Sequence, residues 1–249
     1  RTRIFRGWEN HPYSMMSGID ASFAGAIFTG YHSGAGMNTN PLSHTMNGKN
    51  VYVKINDIIC PELFINALTA AYEGKPIYLL TGDKGLCEWL HKMNANIPTV
   101  AVSEGMGGAS LSINPHLAVK RIREAAEKAL SIDPKKLMFP MPDHFRVEIA
   151  FRNHTYATNG SHYPGCVQLD STRVAFERLY GCAEVLLLGT VKQIGRCRPQ
   201  RWMAVAFAGR QRPFWHPRKR RARSGFPPCA PFWRANLFQK LLYFLLTKF

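Results

Sequence analysis

An α/β fold, with a mainly parallel sheet, flanking helices and a smaller α+β unit behind it, is predicted for the first 190 residues. Three observations predict it. Short apolar, β-branched runs alternate with helical patterns through that region, which separates an α/β domain from a sandwich or a bundle. The runs form a βαβαβ succession between residues 51 and 104, and buried strands joined by short helices favour parallel pairing with both faces covered. The chain has 249 residues, 46% of them hydrophobic, enough to bury a sizeable core.

The elements follow in order. "AGAIFTGY" (24–31) and "VYVKIND" (51–57) read as strands, and "ELFINALTAAYEG" reads as a helix stopped at Gly74. "KPIYLLTG" is a strand, "DKGLCEWLHKM" a helix and "IPTVAVSE" a strand. Strands 24–31, 51–57, 76–81 and 98–103 are expected in one sheet, with sites opening at strand carboxyl ends. The helix 115–131 has Asn114 as its cap and Pro115 in its first turn. Ala118, Ile122, Ala125, Ala126 and Ala129 recur at helical spacing, while Glu124 and Lys128 stand at i,i+4 on the polar side. A Pro-rich connector, "PKKLMFPMPDH", leads to "FRVEIAF" (145–151), "STRVAF" (171–176) and a helix expected from Glu177 to about Leu188. The expected division is 1–135 for the α/β domain, 136–190 for the smaller α+β unit and 191–249 for a basic tail without a fold of its own.

The tail is set apart by charge. The chain's formal net charge is +16, yet residues 1–190 carry 18 Lys and Arg against all 16 acids, and residues 191–249 carry 14 Lys and Arg with no acid. The tail is rich in Arg, Trp, Pro and Cys and keeps neither strand nor helix period. Its texture is that of translation in a shifted reading frame. The other readings are a disordered basic extension and a nucleic-acid grip built on "HPRKRRAR" (216–223) with Trp202, Phe214, Trp215 and Trp233; nucleic acid is not the expected partner.

Six cysteines without a CxxC pair support neither a zinc knuckle nor a disulfide framework and read as free thiols of a cytoplasmic protein. The acceptor patterns at Asn153 and Asn159 read as chance. The apolar stretch "ANLFQKLLYFLLTKF" is interrupted by Lys240 and is short for a bilayer, so no membrane span is expected.

The densest chemistry lies in residues 29–62. His32 ends an apolar strand, a loop with Gly34 and Gly36 follows, His44 comes twelve residues after His32, and Glu62 opens a helix just past the next strand. A lone His near a strand end is more often a hydrogen-bonded structural residue than a ligand. Together, two imidazoles and a carboxylate at strand ends suit a divalent metal.

These residues also carry a resemblance. "RGWENHPYSMMSGIDASFAGAIFTGYHSGAGMNTNPLSHT", "INDIICPELFINALTAAYEGKPIYLLTGDKGLCEW" and "IPTVAVSEGMG…NPHLAVKRIREAAEKAL", in that order and over about residues 1–188, resemble the D-aminopeptidase family of DppA-like metallopeptidases. The resemblance implies an aminopeptidase with two Zn2+ per site that releases N-terminal D-amino acids from short peptides, and a ring-like homo-oligomer. It places metal ligation on His32, from the "GYH" motif, and on Glu62, which opens the helix after the "IN" strand. It places the catalytic role on His44, from "SHT". A metal pair lowers the pKa of a bridging water and polarises the scissile carbonyl, while His44 moves the proton.

The family's Asp-x-Glu strand and "NDSH" segment, which supply its remaining ligands, have no counterpart here: none of the six Asp has a Glu two places on, and Asp-Ser-His does not occur. Arg1 aligns just after that region, so the expectation is a chain lacking the N-terminal part of the core and showing little or no turnover. A non-catalytic peptide-binding or self-associating role stands as the alternative.

Overall fold

The computed structural model describes residues 4–7, 11, 13–163, 165–179 and 244–247, which fall within one compact unit. The strands are β1 (Phe23–Tyr31), β2 (Asn50–Ile55), β3 (Ile58–Ile59), β4 (Ile77–Asp83), β5 (Thr99–Met106), β6 (Ala109–Ser112), β7 (His144–Phe151), β8 (Cys166–Gln168), β9 (Arg173–Leu179) and β10 (Phe244–Thr247). The α-helices are α1 (Glu62–Tyr72), α2 (Lys84–Met93), α3 (Pro115–Ala129) and α4 (His154–Ser161).

One sheet has the order β10-β1-β4-β5-β6, with β1, β4 and β5 mutually parallel and antiparallel strands at both edges. Its centre is the run Ile77–Asp83, buried at every position, as a strand covered on both faces should be. The turn from β5 to β6 is made by Gly107 and Gly108, with Gly107 at φ +57°, a conformation that glycine adopts without a Cβ penalty.

The second sheet, β3-β2-β7-β9-β8, is antiparallel throughout. Strand 51–57 therefore does not join the other three as expected. Its Val53 and Ile55 are buried while Tyr52 and Lys54, on the opposite face, are half-buried, the alternation of a one-sided antiparallel strand. It turns back into β3 through Asn56 and Asp57, both at positive φ, as a two-residue hairpin requires. Helix α1 thus links two sheets and does not cross over within one. Because β2 precedes residue 135 and β7 follows it, the second sheet spans the boundary expected there.

Two further expectations change. Residues 177–179 continue strand β9, where a helix was expected, because this segment pairs with β7 through Leu179; the rest of that helix, 180–188, lies outside the described residues. Residues 191–243 and 248–249 lie outside them too, so the tail readings are untouched, but residues 244–247 pair antiparallel with β1 as an edge strand.

The helices follow their patterns. Glu62 through Ala70 of α1 are all buried, the mark of an interior helix. In α2 only Leu86, Cys87 and Leu90 are buried, and Asp83 caps it by accepting from the Leu86 N–H at 2.8 Å. In α3, packed on β4 and β5, the expected apolar face is the sheltered one, from half-buried Ala118 to buried Ala129. Asn114 caps it through the His116 N–H. The connector after α3 anchors itself with buried Leu137 and Phe139, and Phe139 packs on Phe64 of α1 and Trp89 of α2. Helix α4 was not expected; Asn153 caps it by accepting from the Thr155 N–H, which gives that Asn-x-Thr pattern a structural use. No helix among the described residues is long and apolar enough to cross a membrane.

Candidate metal centre

Three side chains expected from the sequence meet beyond the carboxyl ends of β1 and β4. His32 is the first residue after β1. The loop behind it lies over the starts of two helices because small residues let it: a Cβ on Gly34 would meet the Cα of Pro61 at 2.5 Å, and one on Gly85 would meet the Thr39 side chain at 2.3 Å. Buried Ser33 sits beside His32 and donates its N–H to Asp83 Oδ2 at 2.5 Å and its hydroxyl to Asp83 Oδ1 at 2.6 Å.

His44 stands at the far end of that loop. The next residue, Thr45, is buried; its hydroxyl donates to the Cys60 carbonyl at 2.8 Å and accepts the Ala35 N–H at 3.1 Å. Asn50 donates to the Thr45 carbonyl at 2.9 Å. Met46, at φ +64°, turns its N–H onto Glu62 Oε1 at 2.8 Å. Glu62, first residue of α1 and buried, has its carboxylate in the positive field of a helix start.

The geometry is compact. His44 Nε2 lies 3.5 Å from Glu62 Oε1, the His32 and His44 rings stack at 4.2 Å with 22° between planes, and one donor atom from each of the three residues lies within 4.8 Å of the others. His32 Nδ1 is 3.0 Å from the Ser33 carbonyl and His44 Nδ1 is 2.7 Å from the Leu42 carbonyl. A carbonyl can only accept, so in the neutral ring each Nδ1 carries the proton and each Nε2 keeps its lone pair. That is the arrangement of imidazoles that bind metal, oriented by a carbonyl behind them.

The donor set fits zinc in kind, being imidazole nitrogen and carboxylate oxygen. It also fits in size: two donors on one zinc can lie at most about 4.2 Å apart, twice a bond of about 2.1 Å, so the observed spread closes with side-chain shifts of under about 1 Å. Cys60 adds no thiolate. Burial first, and then the charge of Glu62, push its thiol well above the ordinary value.

Sequence reasoning singled out His32, His44 and Glu62 and missed the two residues beneath them, Ser33 and Asp83. Asp83 had a signal, since it opens "DKGLCEWL" as a cap, but its bond to a loop fifty residues away had none.

A sequence model of the D-aminopeptidase family matches residues 1–181. A curated D-aminopeptidase of Bacillus subtilis (strain 168) is 29% identical over 168 residues, which are 67% of this chain and 61% of that protein; the chain spans less than two thirds of that relative's length. Among solved structures, the Zn-dependent D-aminopeptidase DppA from Bacillus subtilis, described as a self-compartmentalizing protease, matches with a TM-score of 0.66 and 27% identity, over 76% of this chain and 70% of that one.

Proposed function

Because the chain belongs to the D-aminopeptidase family, we propose that it is built for zinc-dependent release of N-terminal D-amino acids from short peptides, with His32 and Glu62 holding metal and His44 moving the proton. The observation that carries the proposal is the gathering of these three side chains, one donor atom each, within 4.8 Å. A zinc ion there supplies Lewis-acid polarisation of the scissile carbonyl and lowers the pKa of water towards neutrality.

The chain's own residues supply the rest. His44 suits proton transfer: the Leu42 carbonyl orients its Nδ1–H and turns Nε2 towards the site, and its side chain is 25% exposed, against 9% for Glu62. It can therefore meet a substrate nitrogen while Glu62 stays behind it. Glu62 is pinned by the Met46 N–H, so its charge stays directed at the imidazoles. The two ligands proposed among the described residues fall short of the three usual in catalytic zinc sites and the four in structural ones. These 249 residues by themselves are proposed to bind zinc weakly and to turn over little. A homo-oligomer is proposed from the likeness to a self-compartmentalizing protease, and light scattering on the purified chain measures it.

The test compares His44→Ala with Glu62→Ala by zinc stoichiometry and by hydrolysis of dipeptides with N-terminal D-Ala. Glu62→Ala should lose bound zinc, and His44→Ala should keep it while losing whatever turnover the parent shows. Equal metal loss in both variants refutes the division of roles. Full activity in the unaltered 249 residues refutes the expectation of weak binding.

A further inference from the structure

We propose that Asp83 is a positioning residue for this centre: by holding Ser33 through its N–H and hydroxyl it fixes the Ser33 carbonyl, which selects the His32 tautomer and places His44. Asp83 is 1% exposed at the end of β4, and it spends both oxygens on uncharged donors. Oδ2 accepts the Ser33 N–H at 2.5 Å, and Oδ1 accepts the Ser33 hydroxyl at 2.6 Å and the Leu86 N–H at 2.8 Å. Ser33 is completely buried, and its hydroxyl is also 2.6 Å from Thr39 Oγ1. Its carbonyl then does two things. It faces His32 Nδ1 at 3.0 Å, and it accepts the His44 N–H at 3.3 Å.

Capping α2 does not explain why this residue is an aspartate. A cap needs one acceptor, and Ser, Thr or Asn supply it as well. Only a carboxylate has an acceptor at both ends. An asparagine of the same shape would turn its amide NH2 towards either the Ser33 N–H or the Leu86 N–H and leave that donor unsatisfied in the interior. Burying a carboxylate against neutral donors is costly, and here it holds Ser33 by its N–H and its hydroxyl, the residue whose carbonyl meets the His32 ring and the His44 N–H. With Ser33 held, His32 carries its proton on Nδ1 and offers Nε2. With Ser33 released, the ring can rotate and take the other tautomer.

The inference rests on the proposed reading of His32 as a ligand only for its consequence, since the tautomer is measurable without metal. Long-range proton–nitrogen NMR of the zinc-free chain at about pH 9, well above the ordinary imidazole value, reports which ring nitrogen of His32 is protonated, with His32→Gln to assign the signal. The parent should show Nδ1–H. Asp83→Ser keeps the helix cap, as does Asp83→Asn with its oxygen on the Leu86 N–H, and both should shift His32 towards Nε2–H or a mixture; Ser33→Ala should do so to a smaller extent. In zinc titrations against a chromophoric chelator, the two Asp83 variants should bind roughly 10–100-fold more weakly, the usual loss when a partner behind a metal ligand is removed.

A cap-competent Asp83→Ser chain with the parent's His32 tautomer overturns the proposal, because Asp83 would then be a cap and nothing more. If neither Asp83 variant folds, Ser33→Ala decides: an unchanged tautomer overturns it there also. A shifted tautomer with unchanged zinc affinity supports the positioning role and removes His32 from the ligand set, so failure of the ligand reading is distinguishable from failure of this one.

Discussion

Gly34→Ala tests whether the loop's close seat on α1 makes the metal centre. The added Cβ would lie 2.5 Å from Pro61 Cα, 2.9 Å from Pro61 N and 3.0 Å from Pro61 Cβ. The first two are backbone atoms and cannot swing aside. Restoring ordinary carbon contact at about 3.5 Å needs a separation of about 1 Å. That gap opens between the residue two places after His32 and the residue just before Glu62, across the site itself. Overpacking of this kind costs about 1–3 kcal/mol. At roughly 2–4 °C per kcal/mol for a domain of this size, Tm should fall by about 2–12 °C. His32 and Glu62, the two residues proposed to hold metal, stand on either side of that gap and would be drawn further apart, so zinc affinity should drop by about tenfold or more. The assays are thermal unfolding by circular dichroism and zinc competition with a chelator. Gly48→Ala is the control, since a Cβ there meets nothing within 4 Å and no positive φ opposes it; it should be neutral or slightly stabilising. A Gly34→Ala chain that melts within about 1 °C of the parent and binds zinc equally well would show that loop contact and metal site are independent.

Two pH effects follow from partners away from the site. Burial and the 2.5 Å hydrogen bond to Glu73 push the Tyr13 hydroxyl up to about 12. A raised folded value favours the protonated form, so this stabilisation is complete below the ordinary tyrosine value near 10 and fades as pH rises through about 12; Tyr13→Phe should flatten the alkaline limb of the stability profile measured by denaturant unfolding. Glu148 is shifted the other way: the Tyr52 hydroxyl, with Arg146 and Arg173, holds its carboxyl below the usual range despite burial. Its stabilisation is present above the ordinary glutamate value and is lost as pH falls through the lowered one, so Glu148→Gln should make stability less steep in acid, and an unchanged acid limb would assign that loss to other carboxylates.

Local pattern carried much of the fold into view. Ile77–Asp83 and the sheltered stripe of α3 are written in apolar runs and helical spacing, and Asn114 and Pro115 mark a helix start that needs no tertiary information. Sheet membership is a different kind of fact. "VYVKIND" and "KPIYLLTG" flank a helix as two parallel neighbours would, yet Tyr52 and Lys54 alternate with buried Val53 and Ile55 and Asn56-Asp57 closes a hairpin, so the strand pairs with a partner almost a hundred residues on. Its alternation of buried and exposed positions was visible in the sequence; what it would pair with was not. The run 173–179 shows the same limit, because pairing with β7 carries it past the point where its apolar pattern suggested a helix.

The site divides along the same line. Residue types and loop spacing brought His32, His44 and Glu62 to notice, because imidazoles and carboxylates announce metal chemistry wherever they stand. What makes them a centre is less visible: Gly34 against Pro61, Thr45 between Cys60 and Ala35, and a buried aspartate whose second oxygen has no local reason to exist. None of these is a chemical group that a motif would name, and each acts across a separation in sequence that only the fold closes. A donor set is thus legible from composition and order, whereas its preorganisation is a property of contacts. The Nδ1–H tautomers of both imidazoles, fixed by the carbonyls of Ser33 and Leu42, are the clearest case: the backbone, which every sequence shares, decides which nitrogen of each imidazole keeps the lone pair.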